Sequence, residues 1–274
     1  MRYTPAIGCR KEVMAMCEYR NVFKRKEIKY LLNAAQYEEI MAFMGTMAEK
    51  DEYGLSRINN IYYDTLDYRL VRCSLEKPFY KEKLRLRTYG DTKDDTNAFI
   101  EIKKKYDGIV YKRRISGRYS ELYGYLLKEA GDIGSSQIAR EIRAFINRYG
   151  ELAPAMSICY DRIALAGIQD KDFRVTFDSN IQWNAECRDL RQISPGRQLL
   201  SPGLYLMEIK VPGAMPIGLS GKLSELKIFP TSFSKYGAGY AEMVNRITSE
   251  APAAVWEIRS GRISTGMKGV AAYA

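Results

Sequence analysis

Charge at every second residue is the feature that most restricts what this chain can fold into. Leu84-Arg85-Leu86-Arg87-Thr88 and Met207-Glu208-Ile209-Lys210-Val211 alternate without a break, and Ile100-Glu101-Ile102-Lys103 does the same. Period two sends successive side chains to opposite faces of a strand, so each segment carries one charged and one apolar face. Arg25, Glu27 and Lys29 share a face in the same way, as do Lys112 and Arg114, and Arg174, Thr176 and Asp178. On any one strand a charged face simply looks at water. Here helical segments lie between the groups of strands and offer a coat for the apolar faces. If that coat is outside, the charges point inward.

The remaining pattern predicts strands over 21–32, 56–63, 84–89, 98–106, 109–115, 155–165, 173–178 and 204–211, with Asp64-Thr65 and Asp107-Gly108 as turns. Asn33 and Gln36 are spaced as a capping box ahead of Tyr37, Ile40, Met41, Met44 and Met47. Further helices are expected over about 120–130, from Ser135 or Ser136 to Gly150, and over 219–226 and 236–247. About eight strands with no Pro- or Ser-rich linker make one α+β domain. An antiparallel barrel, closed and coated by helices, is one way to remove its edges. Its interior would be strongly basic, with a few carboxylates. Like charges out of water repel and lose hydration, so such an interior calls for an anionic ligand, and Arg forks match phosphate oxygens in pairs. The domain is expected over 21–250, with a poorly ordered leader over 1–20 and a loose tail over 251–274.

Composition narrows the chemistry. Lys and Arg number 43 against 33 Asp and Glu, a net charge of +10 that suits a polyanionic partner. There is no histidine. That excludes Ser-His and Cys-His nucleophile pairs, imidazole bases and His-rich zinc sites. The 5 cysteines form no CxxC, so a zinc cluster or disulfide framework is not expected and a cytoplasmic location fits. A metal site would be built from Asp and Glu, which favours magnesium, manganese or calcium. No apolar run is long enough to span a bilayer.

Eight short motifs occur in order: Glu27-Ile28-Lys29-Tyr30, Ile61-Tyr62-Tyr63-Asp64, Leu84-Arg85-Leu86-Arg87-Thr88-Tyr89-Gly90, Glu101-Ile102-Lys103, Tyr160-Asp161-Arg162, Arg174-Val175-Thr176-Phe177-Asp178, Glu208-Ile209-Lys210 and Phe233-Ser234-Lys235-Tyr236. Together they resemble the catalytic domain of the vacuolar transporter chaperone (VTC) complex, the polyphosphate polymerase branch of the triphosphate tunnel metalloenzymes. The resemblance implies a tunnel barrel, ATP as phosphoryl donor, polyphosphate as product, and a divalent metal, Mn2+ or Mg2+. By position it implies that Lys29, Arg85, Arg87, Lys103, Lys112, Arg162 and Arg174 hold phosphates. Glu208 would hold the metal, and Lys210, beside it on the same face, is a substrate-binding candidate. Lys235 would sit on a helix closing one side of the tunnel, and Arg72 is a further substrate-binding candidate. Two positions depart from the family pattern: Arg25 stands where the first Glu of the superfamily's ExExK signature would be, and Ser232 where a second basic residue is expected near Lys235.

A polymerase needs no histidine, because phosphoryl transfer rests on positioning and charge neutralisation, and the end of a polyphosphate chain is already deprotonated. One rival reading is a tunnel triphosphatase, with water as acceptor and Glu101 or Glu27 as an essential second carboxylate. Another is a non-catalytic binder of polyphosphate or nucleic acid, with some of the 21 tyrosines stacking on bases. No nucleic acid is expected as the partner of the polymerase, and a membrane partner is left open.

Overall fold

The apolar faces of the strands are covered by helices, as the alternation requires. The structure, a computed structural model, describes residues 26–250 apart from Gly108 and Ala130, with the side chain of Glu250 also left aside. The expected leader, the strand start at 21–25 and the tail lie outside the described residues.

Among the described residues the strands are β1 (Lys26–Leu32), β2 (Ala48–Asp64), β3 (Tyr80–Tyr89), β4 (Asn97–Tyr106), β5 (Ile109–Arg118), β6 (Ala153–Gly167), β7 (Arg174–Asn184), β8 (Arg197–Gln198), β9 (Tyr205–Val211) and β10 (Pro230–Thr231). The helices are α1 (Ala34–Met44), α2 (Arg69–Leu75), α3 (Tyr119–Leu126), α4 (Gln137–Tyr149), α5 (Ile217–Glu225) and α6 (Lys235–Glu250). The strands form one antiparallel sheet in the order β10-β1-β9-β7-β6-β2-β3-β4-β5, with β8 attached to β7.

This sheet curls. β1 and β4 stand six steps apart in the order, which in a flat sheet would separate them by about 29 Å. Yet Lys103 Nζ of β4 lies 3.3 Å from the Glu27 carboxylate of β1. Side chains span the gap that the backbone leaves open. The closed barrel expected from the strand count is therefore not formed by hydrogen bonds: among the described residues β5 and β10 remain edges, and ion pairs join the two ends of the sheet.

Leu84, Leu86, Ile100 and Ile102 are buried with Leu122 of α3 and with Ile142 and Phe145 of α4. On the other half, Val175 and Ile209 are buried with Ile40 and Met44 of α1 and with Leu219 and Leu223 of α5. Both layers lie on the convex side. α1 begins as its sequence predicts: Asn33 Oδ1 accepts from the Gln36 N–H at 2.9 Å, and Gln36 Oε1 accepts from the Asn33 N–H at 3.1 Å.

α6 packs on the concave side. It buries Tyr236, Tyr240 and Met243 against Tyr62, Ile158 and Leu206. Tyr62 lies opposite Arg85, and Leu206 opposite Asp178, so these contacts share a face with the charges. Three expectations are corrected here. Helix 120–130 ends at Leu126, where Lys128 and Gly131 turn through positive φ of 61° and 100°. Met47 lies beyond α1. Asp64 belongs to the end of β2 instead of a turn. Its buried carboxylate accepts from the N–H groups of Leu70 and Val71 at 2.8 and 3.0 Å, and from the Tyr236 hydroxyl at 2.8 Å. It thereby pins both α6 and α2, a helix that its seven residues do not announce.

Candidate phosphate-binding interior

The concave face gathers its cations around buried carboxylates. The first gathering is on β3, β4 and β5. Arg85 pairs with Glu101 and Lys103 with Lys112 across the ladders, so all four point inward. Arg85 Nε donates to Glu101 Oε2 at 2.7 Å, Arg87 Nε lies 3.7 Å from the same oxygen, and Lys112 pairs with Oε1. Burial alone would raise the Glu101 carboxyl, whose side chain is 1% exposed, but the three cations reverse it and hold it well below the usual carboxylate range. Arg87 also donates to Asn60 Oδ1 at 2.9 Å and to the Tyr160 hydroxyl at 3.1 Å, which fixes its fork.

The second gathering joins β6, β7 and α6. Arg162 grips Asp178 through two parallel bonds of 2.6 and 2.8 Å, and Lys235 Nζ reaches the same carboxylate at 2.5 Å. Burial opposes the charged form of Asp178, yet Lys235 and Arg162 bring its carboxyl down to about 2. Tyr160 sits between the two gatherings, with Lys235 Nζ 4.5 Å and Arg162 5.2 Å from its ring centroid.

The third lies on β1 and β9. Glu208 accepts an ion pair from Lys210 at 2.8 Å and another from Lys29 at 3.7 Å; Lys29 also stands 3.6 Å from Glu27. Burial raises the Glu208 carboxyl, but Lys210, Lys29 and Lys103 outweigh it and leave it well below its ordinary value. Lys29 Nζ in addition donates to Phe233 O at 2.9 Å, tying β1 to the segment that opens α6.

Of the residues singled out in the sequence, Lys29, Arg85, Arg87, Lys103, Lys112, Arg162, Glu208, Lys210 and Lys235 thus come together on one concave surface. Arg174 is exposed and lies opposite Lys210 in the β7–β9 ladder, at the margin of that surface. Arg72 is elsewhere: it sits on α2 and pairs with Asp67 at 2.8 Å, within the structure that Asp64 anchors.

Sequence reasoning passed over two interior groups. Lys83 lies opposite Lys103 and donates to Ser234 Oγ at 2.8 Å. Tyr62 accepts from Arg85 Nη1 at 3.2 Å and stacks on Tyr236 with centroids 4.5 Å apart. Burial raises the Tyr62 hydroxyl, but Arg85, Lys83 and Arg87 more than offset that and bring it down to about 8. The signal for Lys83 was present: Lys81, Lys83, Arg85 and Arg87 form one uninterrupted period-two run. Tyr62 stands in the Ile61-Tyr62-Tyr63-Asp64 motif, but its contact with Arg85 depends on β3 lying beside β2.

The curled antiparallel sheet turns its arginines and lysines to the concave side, where α6 packs, and carries its two other helical layers on the convex side. The VTC domain family matches residues 24–244, and the chain belongs to that family. Among solved structures it is similar to a candidate adenylate cyclase from Bacillus halodurans, at 12% identity over 78% of this chain and 94% of that one, with a TM-score of 0.48. It is also similar to a candidate adenylate cyclase from Vibrio parahaemolyticus, at 10% identity over 80% of this chain and 98% of that one, TM-score 0.43. A Hippeastrum protein described as an adenylyl cyclase with a dominant triphosphatase activity matches at 14% identity over 79% of this chain and 95% of that one, TM-score 0.42. Comparison with the curated proteins gives no match. Among the described residues no helix is long and apolar enough to cross a membrane.

Proposed function

We propose that this protein is a polyphosphate polymerase that transfers the γ-phosphate of ATP to a growing polyphosphate chain held on the concave face. One observation carries the reading against its hydrolytic rival: the interior carboxylates are saturated by cations. Glu101 is ringed by Arg85, Arg87 and Lys112, and Glu27 by Lys29 and Lys103, so both carboxylates named for the hydrolytic reading are already engaged by cations and neither is poised to take a proton from water. An acceptor that arrives deprotonated, the end of a phosphate chain, needs no such base. Arg85, Arg87, Lys103 and Lys29 would grip donor and acceptor phosphates and neutralise the charge that develops between them. Lys112, Arg162, Lys210 and Lys235 would hold the rest of the ligand, with Arg174 at the margin. Arg72 is left out of this set.

The residues also fit a hard divalent ion, manganese or magnesium. Glu208 offers a buried carboxylate whose present counter-charges, Lys210 at 2.8 Å and Lys29 at 3.7 Å, an ion would replace. That suits an ion held by one or two carboxylates and completed by phosphate oxygens, with Glu208 as its protein ligand. When bound, it would supply charge neutralisation on the donor phosphates.

The test is to incubate the purified protein with ATP and manganese and to separate the products. Long polyphosphate with ADP is expected; ADP with orthophosphate alone would hand the reading to the hydrolase. Glu208→Gln should stop turnover and leave ATP binding within a few-fold, because the Arg and Lys contacts remain.

A further inference from the structure

Two of the sequence motifs meet at a carboxylate that grips no cation. Ile61-Tyr62-Tyr63-Asp64 ends β2, and Phe233-Ser234-Lys235-Tyr236 leads into α6. Asp64 is fully buried. Its Oδ1 accepts from the Thr65 and Leu70 N–H groups at 2.9 and 2.8 Å, and its Oδ2 from the Val71 N–H at 3.0 Å and the Tyr236 hydroxyl at 2.8 Å. Three of these partners are local backbone groups at the start of α2. The fourth lies 172 residues away in the chain. Burial and then Asp64 push the Tyr236 hydroxyl well above its ordinary pKa, so it remains a donor. What Tyr236 stands beside belongs to the concave face. Its ring stacks on Tyr62, whose hydroxyl accepts from Arg85. Phe233 O accepts from Lys29 Nζ at 2.9 Å, Ser234 Oγ from Lys83 Nζ at 2.8 Å, and Lys235 pairs with Asp178.

We propose that Asp64 is a positioning residue for the phosphate-binding interior: through the Tyr236 hydroxyl it sets the first turn of α6, and with that turn the place of Lys235 and of the oxygens that hold Lys83 and Lys29. All four bonds of Asp64 go to neutral groups, so it acts on the cations only through Tyr236. The seat it secures is a close one. A Cβ on Gly237 would stand 2.9 Å from Leu75 of α2 and 3.2 Å from Ser234 Oγ, so α6 meets α2 with no room between them. Asp64 fixes both sides of that contact, the start of α2 by its N–H bonds and the start of α6 by Tyr236. A ligand-gripping group displaced by about 1 Å can lose on the order of 100-fold in function. A carboxylate that served only to hold the fold would lower stability when its partner was lost and leave affinity alone. The inference rests on the phosphate-binding reading of the interior and adds to it a residue that does not touch the ligand.

The experiment measures tripolyphosphate affinity by calorimetry, and thermal melting, on Tyr236→Phe. That change keeps the ring on Tyr62 and removes only the bond to Asp64. Asp64 itself stays, because removing it would strand three backbone N–H groups. The control is Tyr149→Phe. Tyr149 donates to the buried Glu82 carboxylate at 2.7 Å, a bond of the same kind on the convex side. Both variants should melt a few degrees lower. Only Tyr236→Phe should weaken tripolyphosphate binding, by about tenfold. In a Lys235→Ala background the same change should cost less than about threefold, because the main group it positions is gone. Tyr236→Phe that melts lower and binds as the wild type does would make Asp64 purely structural and overturn the proposal. So would a tenfold loss that persists undiminished in the Lys235→Ala background, or an equal loss in Tyr149→Phe. A wild type that binds no tripolyphosphate overturns the phosphate-binding reading, and the positioning role with it.

Discussion

Two regions on the same two strands solve one electrostatic problem in opposite ways. Around Glu101, three cations share an internal carboxylate, and the charge is settled within the fold. Two and four residues along β3 and β4, Lys83 faces Lys103 and Lys81 faces Lys105, with Glu27 as the one carboxylate. The first region is preorganised, its guanidinium forks fixed before a ligand arrives. The second carries the cost of like charges facing one another across a ladder. A basic interior is not one uniform surface: three cations share one carboxylate around Glu101, while the lysines beside them face one another.

The sharpest way to break the contrast is to turn the first region into the second. Glu101→Gln strands Arg85, Arg87 and Lys112 without their carboxylate, and removing one partner of a buried ion group costs about 3–5 kcal/mol. Denaturant unfolding should report that loss, and added tripolyphosphate should recover part of it; a loss under 1 kcal/mol would mean the cations settle with water instead.

Next in size is Arg87→Ala. Its fork is fixed by Asn60 and Tyr160, so the loss of charge-assisted bonds should weaken ATP and tripolyphosphate alike, on the order of 100-fold. Weakening of one ligand only would separate their sites. Duplex DNA should compete poorly in the same titration, since a curled interior admits a linear chain and not a duplex.

Acid should dismantle the carboxylate-centred regions before the lysine ladder. Asp178 is brought down to about 2, from 3.8 ordinarily. A carboxyl depressed in the folded state contributes stability that is present above the ordinary value and lost as pH falls through the folded one. About 2 kcal/mol should therefore disappear between pH 4 and pH 2, and Asp178→Asn should flatten that limb of a stability–pH curve.

The smallest effect has the opposite sign. Lys83 is brought down to about 8 from 10.5, so its ammonium opposes folding in full below pH 8, and the penalty fades as pH rises towards 10.5. The shift alone amounts to about 3 kcal/mol, but Lys83→Met also gives up the bond to Ser234 and leaves its oxygen in the interior, so without ligand the melting temperature at pH 7 should rise by only a few degrees, on the order of 1 kcal/mol, with no gain at pH 10.5. A lower melting temperature at pH 7 would show that the bond to Ser234 outweighs the buried charge.

Local chemistry determined much of this molecule. Alternation in 84–88, 100–103 and 207–211 set which side of each strand is charged, because a strand has only two faces. The Asn33–Gln36 box set the start of α1, because its partners are three residues apart. The run Lys81, Lys83, Arg85, Arg87 already placed four cations on one face. Tertiary structure decided what those cations meet. Arg85 and Glu101 are neighbours because β3 lies beside β4, and Arg162 and Lys235 share Asp178 because α6 enters the concave side. α2 owes its place to Asp64, which serves Leu70, Val71 and the distant Tyr236 together. The same holds for the curl: Lys103 meets Glu27 because twist accumulates over the whole sheet, and accumulated twist is a property of many strands that no single period-two segment contains.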